Sequence, residues 1–265
     1  MFVCGDWTRG FFIEKGRLFL RIMNFRWEVA QKEAEGIAKL LSKHGVEKGR
    51  ILDLMCGNGR IAINLAKMGY DVVGVDFSQV YIEDAKKRAV EHGVGGRTRF
   101  VCGDVRELDK LLKDEAPFDG VVNVWTAIGY FDEETDEGIF RKAAMLSREG
   151  AVLVIASTAS RDFILKRFSP RTFEEFGDLV VISENKFDAF RSRLKSVWKF
   201  YAKEGKNLKY IDETEMNLRL YSVHELYSLL KKAGWVIKET YKSIATLEPA
   251  EATDPINIVA IREKH

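Results

Sequence analysis

Short apolar runs alternate with amphipathic segments along most of the chain. RILDLMCGNGR at 50–60 reads as a short buried strand followed by a glycine turn, and DVVGVD at 71–76, TRFVCGD at 98–104, a run inside FDGVVNVWTAIG at 118–129, and AVLVIAS at 151–157 read as further strands. Residues 61–68, 78–92 and 136–148 between them carry apolar positions at helical spacing, with Gly69, Gly93 and Gly150 as stops and Ser78 as a cap. Trp27, Ala30, Ala34, Ile37 and Leu41 predict a helix before the first strand, closed by Gly45, whereas residues 1–23 show no clean period. Strands alternating with helices predict an α/β fold, a parallel sheet with helices on both faces.

The pattern breaks at 160–221. Apart from a short helix near 161–168, it holds strand-like runs at 179–187, 192–202 and 207–220 with a polar turn at KEGKN. These predict an antiparallel β insertion over one end of the main sheet, placed to act as a lid. Regular order returns at Ser222, where SVHE is a capping box, and WVIKETY and INIVAIR supply the last two strands. The chain therefore divides into an N-terminal helical cap segment (1–45), an α/β core (46–158 and 222–265) and the insertion (159–221).

Composition narrows the function classes. At 46% hydrophobic and 31% charged, the 265 residues can bury a real core, and a net charge of +2 provides no global field for a nucleic-acid backbone. Cys4, Cys56 and Cys102 are odd in number and far apart, and His44, His92, His224 and His265 lack ligand spacing, so neither a disulfide framework nor a metal site is expected. With no run of 18 apolar residues and no signal-peptide pattern, a soluble cytoplasmic protein without a membrane partner is expected. Oligomeric state is left open.

The chemistry sits at the strand ends. GNGRIA at 57–62 matches G-x-G-x-x-A, and Asp76 follows Gly57 by 19 residues at the end of the second strand, a pattern shared with dinucleotide-binding proteins. Asp53, four residues before Gly57, separates the readings. An acid there repels a pyrophosphate and attracts a ligand carrying an ammonium group. Asp104 ends the third strand, where it can accept a hydrogen bond from an adenine amino group, and the fourth strand ends in polar and aromatic residues.

DLMCGNGR, VVGVDFS, CGDVREL and FDGVVNVWTAIGYF resemble, in order and spacing, the motifs of class I S-adenosylmethionine-dependent methyltransferases over residues 25–157. The resemblance implies a Rossmann-like seven-stranded sheet whose last strand is antiparallel, and S-adenosylmethionine as cofactor. It implies that Asp53 and the carbonyl near Met55 hold the methionine amine, that Gly57 and Gly59 allow close approach, and that Asp76 binds the ribose. Phe77 would pack on the adenine, Asp104 with the Val105 amide would read its edge, and the backbone near Asn123 would complete the site. Met55 stands where the pattern usually has its first glycine.

Methyl transfer from a sulfonium is an in-line displacement that needs alignment more than a dedicated base, and the sequence shows no catalytic dyad. NVWT replaces the N-P-P-Y type of motif, and no Pro-Cys pair is present, which disfavours two nucleic-acid classes. The TAIGYF segment looks more like enzymes that methylate N or O of a small-molecule acceptor. Tyr130, Arg219 and Tyr221 are the candidate acceptor contacts, and Trp7, Phe11 and Arg17 a candidate cover over the cofactor. The alternatives are an NAD-dependent oxidoreductase, a non-catalytic cofactor-binding protein, and an RNA methyltransferase, the last using Arg161, Lys166, Arg167 and Arg171 as a basic surface.

Overall fold

The computed structural model describes residues 7–263, so Cys4 and His265 lie outside the described residues. Among the described residues there are eleven strands in two sheets. The main sheet has the order β10-β11-β5-β4-β1-β2-β3, with β1 at Arg50–Leu54, β2 at Asp71–Asp76, β3 at Thr98–Cys102, β4 at Phe118–Val124, β5 at Ser147–Thr158, β10 at Trp235–Thr240 and β11 at Ile256–Arg262. β11 runs antiparallel to both β5 and β10, and the other six strands share one direction.

Side chains alternate across this sheet as strand geometry requires. Ile51, Val122, Val152 and Val154 face one side, against the helices Trp27–Lys43, Arg60–Lys67 and Gln79–Glu91. Leu52, Val121, Leu153 and Ile155 face the other, against Glu133–Met145 and Val223–Lys232. The second of these helices starts with the Ser222–Glu225 capping box that SVHE predicts. Strand order reverses between β1 and β4, and the crevice beyond their carboxyl ends is where open α/β sheets bind ligands.

The insertion forms a separate four-stranded antiparallel sheet, β6 (Arg171–Phe176), β7 (Leu179–Asp188), β8 (Arg193–Glu204) and β9 (Asn207–Arg219). β6 escapes sequence patterning because it is a mostly exposed edge strand without apolar alternation. Residues 7–25, placed in the helical cap segment despite their lack of clean period, form Trp7–Arg9, one π turn at Gly10–Glu14, and the helix Gly16–Phe25. Their apolar positions scatter because they serve several surfaces. Phe11 and Phe12 pack with Tyr81, while Ile22 packs with Leu179, Val181 and Phe200 of the second sheet. No helix among the described residues is long and apolar enough to cross a membrane.

Candidate cofactor and acceptor site

β1 leads into a tight turn before the helix Arg60–Lys67. Met55, Gly57 and Gly59 all adopt positive φ there, at 55°, 54° and 73°. That conformation favours glycine and explains why glycine is usual at position 55; Met55 holds it at a steric cost. Gly59 is also fixed by space. A Cβ on it would lie 2.8 Å from the Phe100 ring and 3.0 Å from the Ala85 Cβ, so its absence lets the helix start against β3. A Cβ on Gly57 would meet the end of the Met23 side chain, with Sδ at 3.0 Å.

Asp53 and Asp76 end neighbouring strands and are both buried. Asp76 Oδ2 accepts from the Gly57 N–H and Oδ1 from the Ser78 N–H, each at 2.9 Å, and burial still pushes its carboxyl up to about 6. Ser78 caps nothing with its hydroxyl, contrary to its predicted role, and instead donates to the Phe12 carbonyl at 3.0 Å. Asp53 differs: its Oδ2 is buried with no partner, and burial pushes the carboxyl up to about 7 although Arg60 and the Ala62 amide pull it down. A buried, unpartnered carboxylate oxygen is costly unless a donor or cation meets it. An α-ammonium group is such a partner, and the glycine turn beside it admits a ligand against the backbone. The residues fit S-adenosylmethionine.

These groups open on a cavity of ≈320 Å³. Asp53, Met55, Gly57, Asp76, Phe77 and Tyr130 line it, as do Asp104 and Val105. Asp104 also caps the short turn Val105–Glu107 and holds the Arg106 guanidinium at 2.6 Å. Burial raises its carboxyl, but the Arg106 hydrogen bonds outweigh that and hold it below the usual carboxylate range.

Four predicted residues lie elsewhere. Gly59 shapes the turn from behind, and Asn123 is fully buried, its Nδ2 donating to the Ala127 carbonyl at 2.8 Å; Val124 and Trp125 reach the cavity in its place. Arg219 and Tyr221 are corrected as acceptor contacts. The Arg219 guanidinium is consumed by Glu133 and Glu225, each at 2.6 Å, and the Tyr221 hydroxyl donates to Asp136 at 2.8 Å, fastening β9 to the helices on the far face. Arg17 is exposed, while Phe11, Phe12 and Phe19 line the cavity, with Trp7 packed on Phe12 and Tyr130.

Several lining residues carry no sequence motif. Thr8 and Met23 come from the N-terminal helices, and Trp198, Met216 and Leu218 from the second sheet. Tyr81 projects an unpartnered buried hydroxyl, and burial with Asp76 nearby pushes that phenol up. Trp125 and Thr126 both sit at positive φ, 66° and 58°, directly after β4, and the Trp125 ring stacks on Phe19 at 5.5 Å. Only the last pair had a signal, the polar–aromatic end of the fourth strand. The others reach the cavity through tertiary packing.

Comparison with known proteins agrees with this geometry. Residues 51–150 match the family described as "Methyltransferase domain". A Bacillus subtilis relative named as a candidate methyltransferase, YqeM, is 26% identical over 224 residues, covering 82% of this chain and 86% of its own. A 23S rRNA uracil-C5 methyltransferase of Aromatoleum aromaticum is 33% identical, but over 40% of this chain and 27% of its own. Among solved structures, an S-adenosylmethionine-dependent methyltransferase of Clostridium acetobutylicum superposes with a TM-score of 0.75 at 19% identity, covering 88% of this chain and 92% of its own. CalS10, an amino pentose methyltransferase of Micromonospora echinaspora, superposes with a TM-score of 0.69 at 16% identity, covering 92% and 96%. With the strand order, the glycine turn and the strand-end acids in place, residues 51–150 match the methyltransferase domain family, and the chain carries the fold of class I S-adenosylmethionine-dependent methyltransferases.

Proposed function

We propose that this protein transfers a methyl group from S-adenosylmethionine to a nitrogen or oxygen of a small-molecule acceptor in the cytoplasm. The observation that carries the reading is the unpartnered Asp53 Oδ2 at a cavity beyond the carboxyl ends of the strands. A dinucleotide pyrophosphate would meet that carboxylate with repulsion, which counts against the oxidoreductase alternative. S-adenosylmethionine supplies the methyl on an activated sulfonium. Asp53 binds the amino group, Asp76 accepts from the ribose hydroxyls, and Phe77 packs against the base. The insertion and the N-terminal helices form the lid, excluding water and aligning the acceptor.

The acceptor half of the cavity is walled by Phe19, Trp125, Leu194, Trp198, Met216 and Leu218. Among the described residues, the lining carboxylates all lie at the β1, β2 and β3 ends, and no histidine or lysine lines the cavity. The acceptor then brings its own lone pair. Apolar surroundings favour the uncharged, nucleophilic form of an amine, in keeping with the amino pentose substrate of CalS10.

The partial match to rRNA uracil-C5 enzymes supports the second reading, an RNA methyltransferase. Carbon methylation of a pyrimidine calls for a thiolate. Here burial pushes the Cys56 thiol well up, and Cys102 lies outside the cavity. The arginine group is locally engaged: Arg167 bonds the Phe163 and Thr253 carbonyls, and Arg171 pairs with Glu184. Calorimetry with S-adenosylhomocysteine and NADH, followed by a panel of amines and alcohols with labelled S-adenosylmethionine, tests the proposal. Binding of NADH in preference to the sulfur ligand would sink it.

A further inference from the structure

The insertion turns one face of its sheet to the cavity. β8 lies between β7 and β9, so its backbone donors and acceptors are spent in two ladders, and what stands off the sheet is side chain. From residues 160–221 the lining side chains are Ile164, Leu194, Trp198, Met216, Leu218 and Leu220. Their only polar atoms are the Trp198 indole N–H, which donates and cannot accept, and the Met216 thioether, a weak acceptor. Ser196 and Thr214 share that register, opposite Met216 and Trp198, but do not line the cavity. The Ser196 hydroxyl donates to Asn185 Oδ1 at 2.5 Å. Thr214 sits beneath the π turn, where a Cβ on Gly10 would lie 3.9 Å from its Oγ1.

The N-terminal helices close the same space with Phe11, Phe12, Phe19 and Met23, and Thr8 adds one hydroxyl. Phe11 meets the Trp198 ring edge-on at 5.1 Å, so cover and insertion form one apolar wall. The cavity volume of ≈320 Å³ is at the small end of ligand sites, about 300–1,000 Å³, and the cofactor occupies part of it.

We infer that the insertion wall selects a small apolar amine, aromatic or alicyclic, whose nitrogen is its only polar atom. This rests on the proposed cofactor and reaction. A hydroxyl carried against this wall leaves water without gaining a partner, and each such loss is costly. An amino sugar shares the amine but not the apolar body. An alcohol would need a base, and the wall supplies none. The amine enters uncharged, as apolar surroundings favour. Its lone pair forms the N–C bond, the C–S bond breaks with its pair going to sulfur, and the ammonium product gives its proton to water on release.

The test compares amines that differ in body. Cyclohexylamine, benzylamine and glucosamine are assayed with methyl-labelled S-adenosylmethionine, and their binding to the protein saturated with S-adenosylhomocysteine is measured by calorimetry. Both apolar amines should bind the saturated protein and exceed glucosamine in kcat/KM by about a hundredfold or more, the cost of several unpartnered hydroxyls. Met216→Gln, which sets an amide in the half-buried wall, should shrink that ratio about tenfold while S-adenosylhomocysteine affinity stays within about twofold. Glucosamine matching the apolar amines, or apolar amines that fail to bind the saturated protein, overturns the inference. An unchanged ratio in folded Met216→Gln overturns the assignment to this wall. Failure of wild type to bind S-adenosylhomocysteine would instead overturn the cofactor reading.

Discussion

The Gly57 N–H donates to Asp76 Oδ2 at 2.9 Å, so the turn after β1 and the end of β2 form one unit. Asp76 Oδ1 fixes the Ser78 N–H in the same way, and the Ser78 hydroxyl reaches the Phe12 carbonyl. The residue proposed to bind ribose therefore also holds the cofactor loop and, through Ser78, the N-terminal cover. Asp76→Ala removes the carboxylate that accepts from two backbone N–H groups, as well as the ribose contact. The expected outcome is at least a tenfold weaker S-adenosylhomocysteine affinity, roughly what loss of a charged hydrogen bond predicts, with the chain still folded by circular dichroism. An unchanged dissociation constant would remove Asp76 from the site.

The proposed role of Asp53 predicts that cofactor binding depends on pH. Its carboxyl is pushed up to about 7, chiefly by burial, and only the ionised form attracts an ammonium group. Affinity for S-adenosylhomocysteine should fall as pH drops below 7, approaching about tenfold per unit for a single proton. Asp53→Asn should bind more weakly at pH 8 and lose this dependence between pH 6 and about 7.5.

The same acids set a stability trend in the ligand-free protein. The folded state holds protons on Asp53, Asp76 and Asp136 more tightly than the unfolded chain does, because burial raises them to about 7, 6 and 6. Their contribution is present at low pH and is lost as pH rises through 6 to 7. Tm of wild type should decline from pH 5 to about 8, and Asp53→Asn should flatten the decline. A Tm that rises over this interval in wild type and in Asp53→Asn alike would contradict the assignment.

The sheet was legible because its strands are continuous apolar runs and its turns carry glycine, as at Gly57, Gly69 and Gly93. Asp53, Asp76 and Asp104 were legible because their spacing from the strands fixes where they emerge. Arg219 and Tyr221 misled. A sequence shows that β9 returns to the core, but not that Glu133 and Glu225 arrive from other elements to consume the guanidinium. Arg60 and Tyr81 were overlooked for the complementary reason. Each sits on a helix whose periodicity looks ordinary, and tertiary packing makes those positions cavity wall: Phe11, Phe12 and Met23 cluster with Tyr81, and Glu33 and the Trp125 ring hold Arg60.

Arg219 separates stability from binding. Its side chain is buried, whereas Glu133 and Glu225 are 57% and 33% exposed, so the two bonds are worth less than a fully buried pair. Arg219→Met should cost about 2 kcal/mol in denaturant unfolding, between the surface and buried limits. Cofactor affinity should stay within about twofold, since the residue contributes nothing to the cavity wall. A selective loss of binding with stability intact would return Arg219 to the site.

Gly57 and Gly59 share a left-handed backbone but differ in what faces them, and alanine at each should fail differently. At Gly59 a methyl group collides with the Phe100 ring and the Ala85 Cβ, groups locked between the helix Gln79–Glu91 and β3. Gly59→Ala should lose about 2–4 kcal/mol, combining backbone strain with overpacking. At Gly57 the facing atom is the end of the Met23 side chain, which can swing aside. Gly57→Ala should lose only about 1 kcal/mol of stability, from the backbone conformation. The added methyl and displaced thioether project into the cavity, however, so S-adenosylhomocysteine affinity should fall more than stability does. Parallel urea titrations with and without the ligand separate the two effects, since a bound ligand stabilises in proportion to its retained affinity. Equal stability losses in the two variants would mean that the Phe100–Ala85 contact yields as readily as Met23, and that the helix start is not fixed by this glycine.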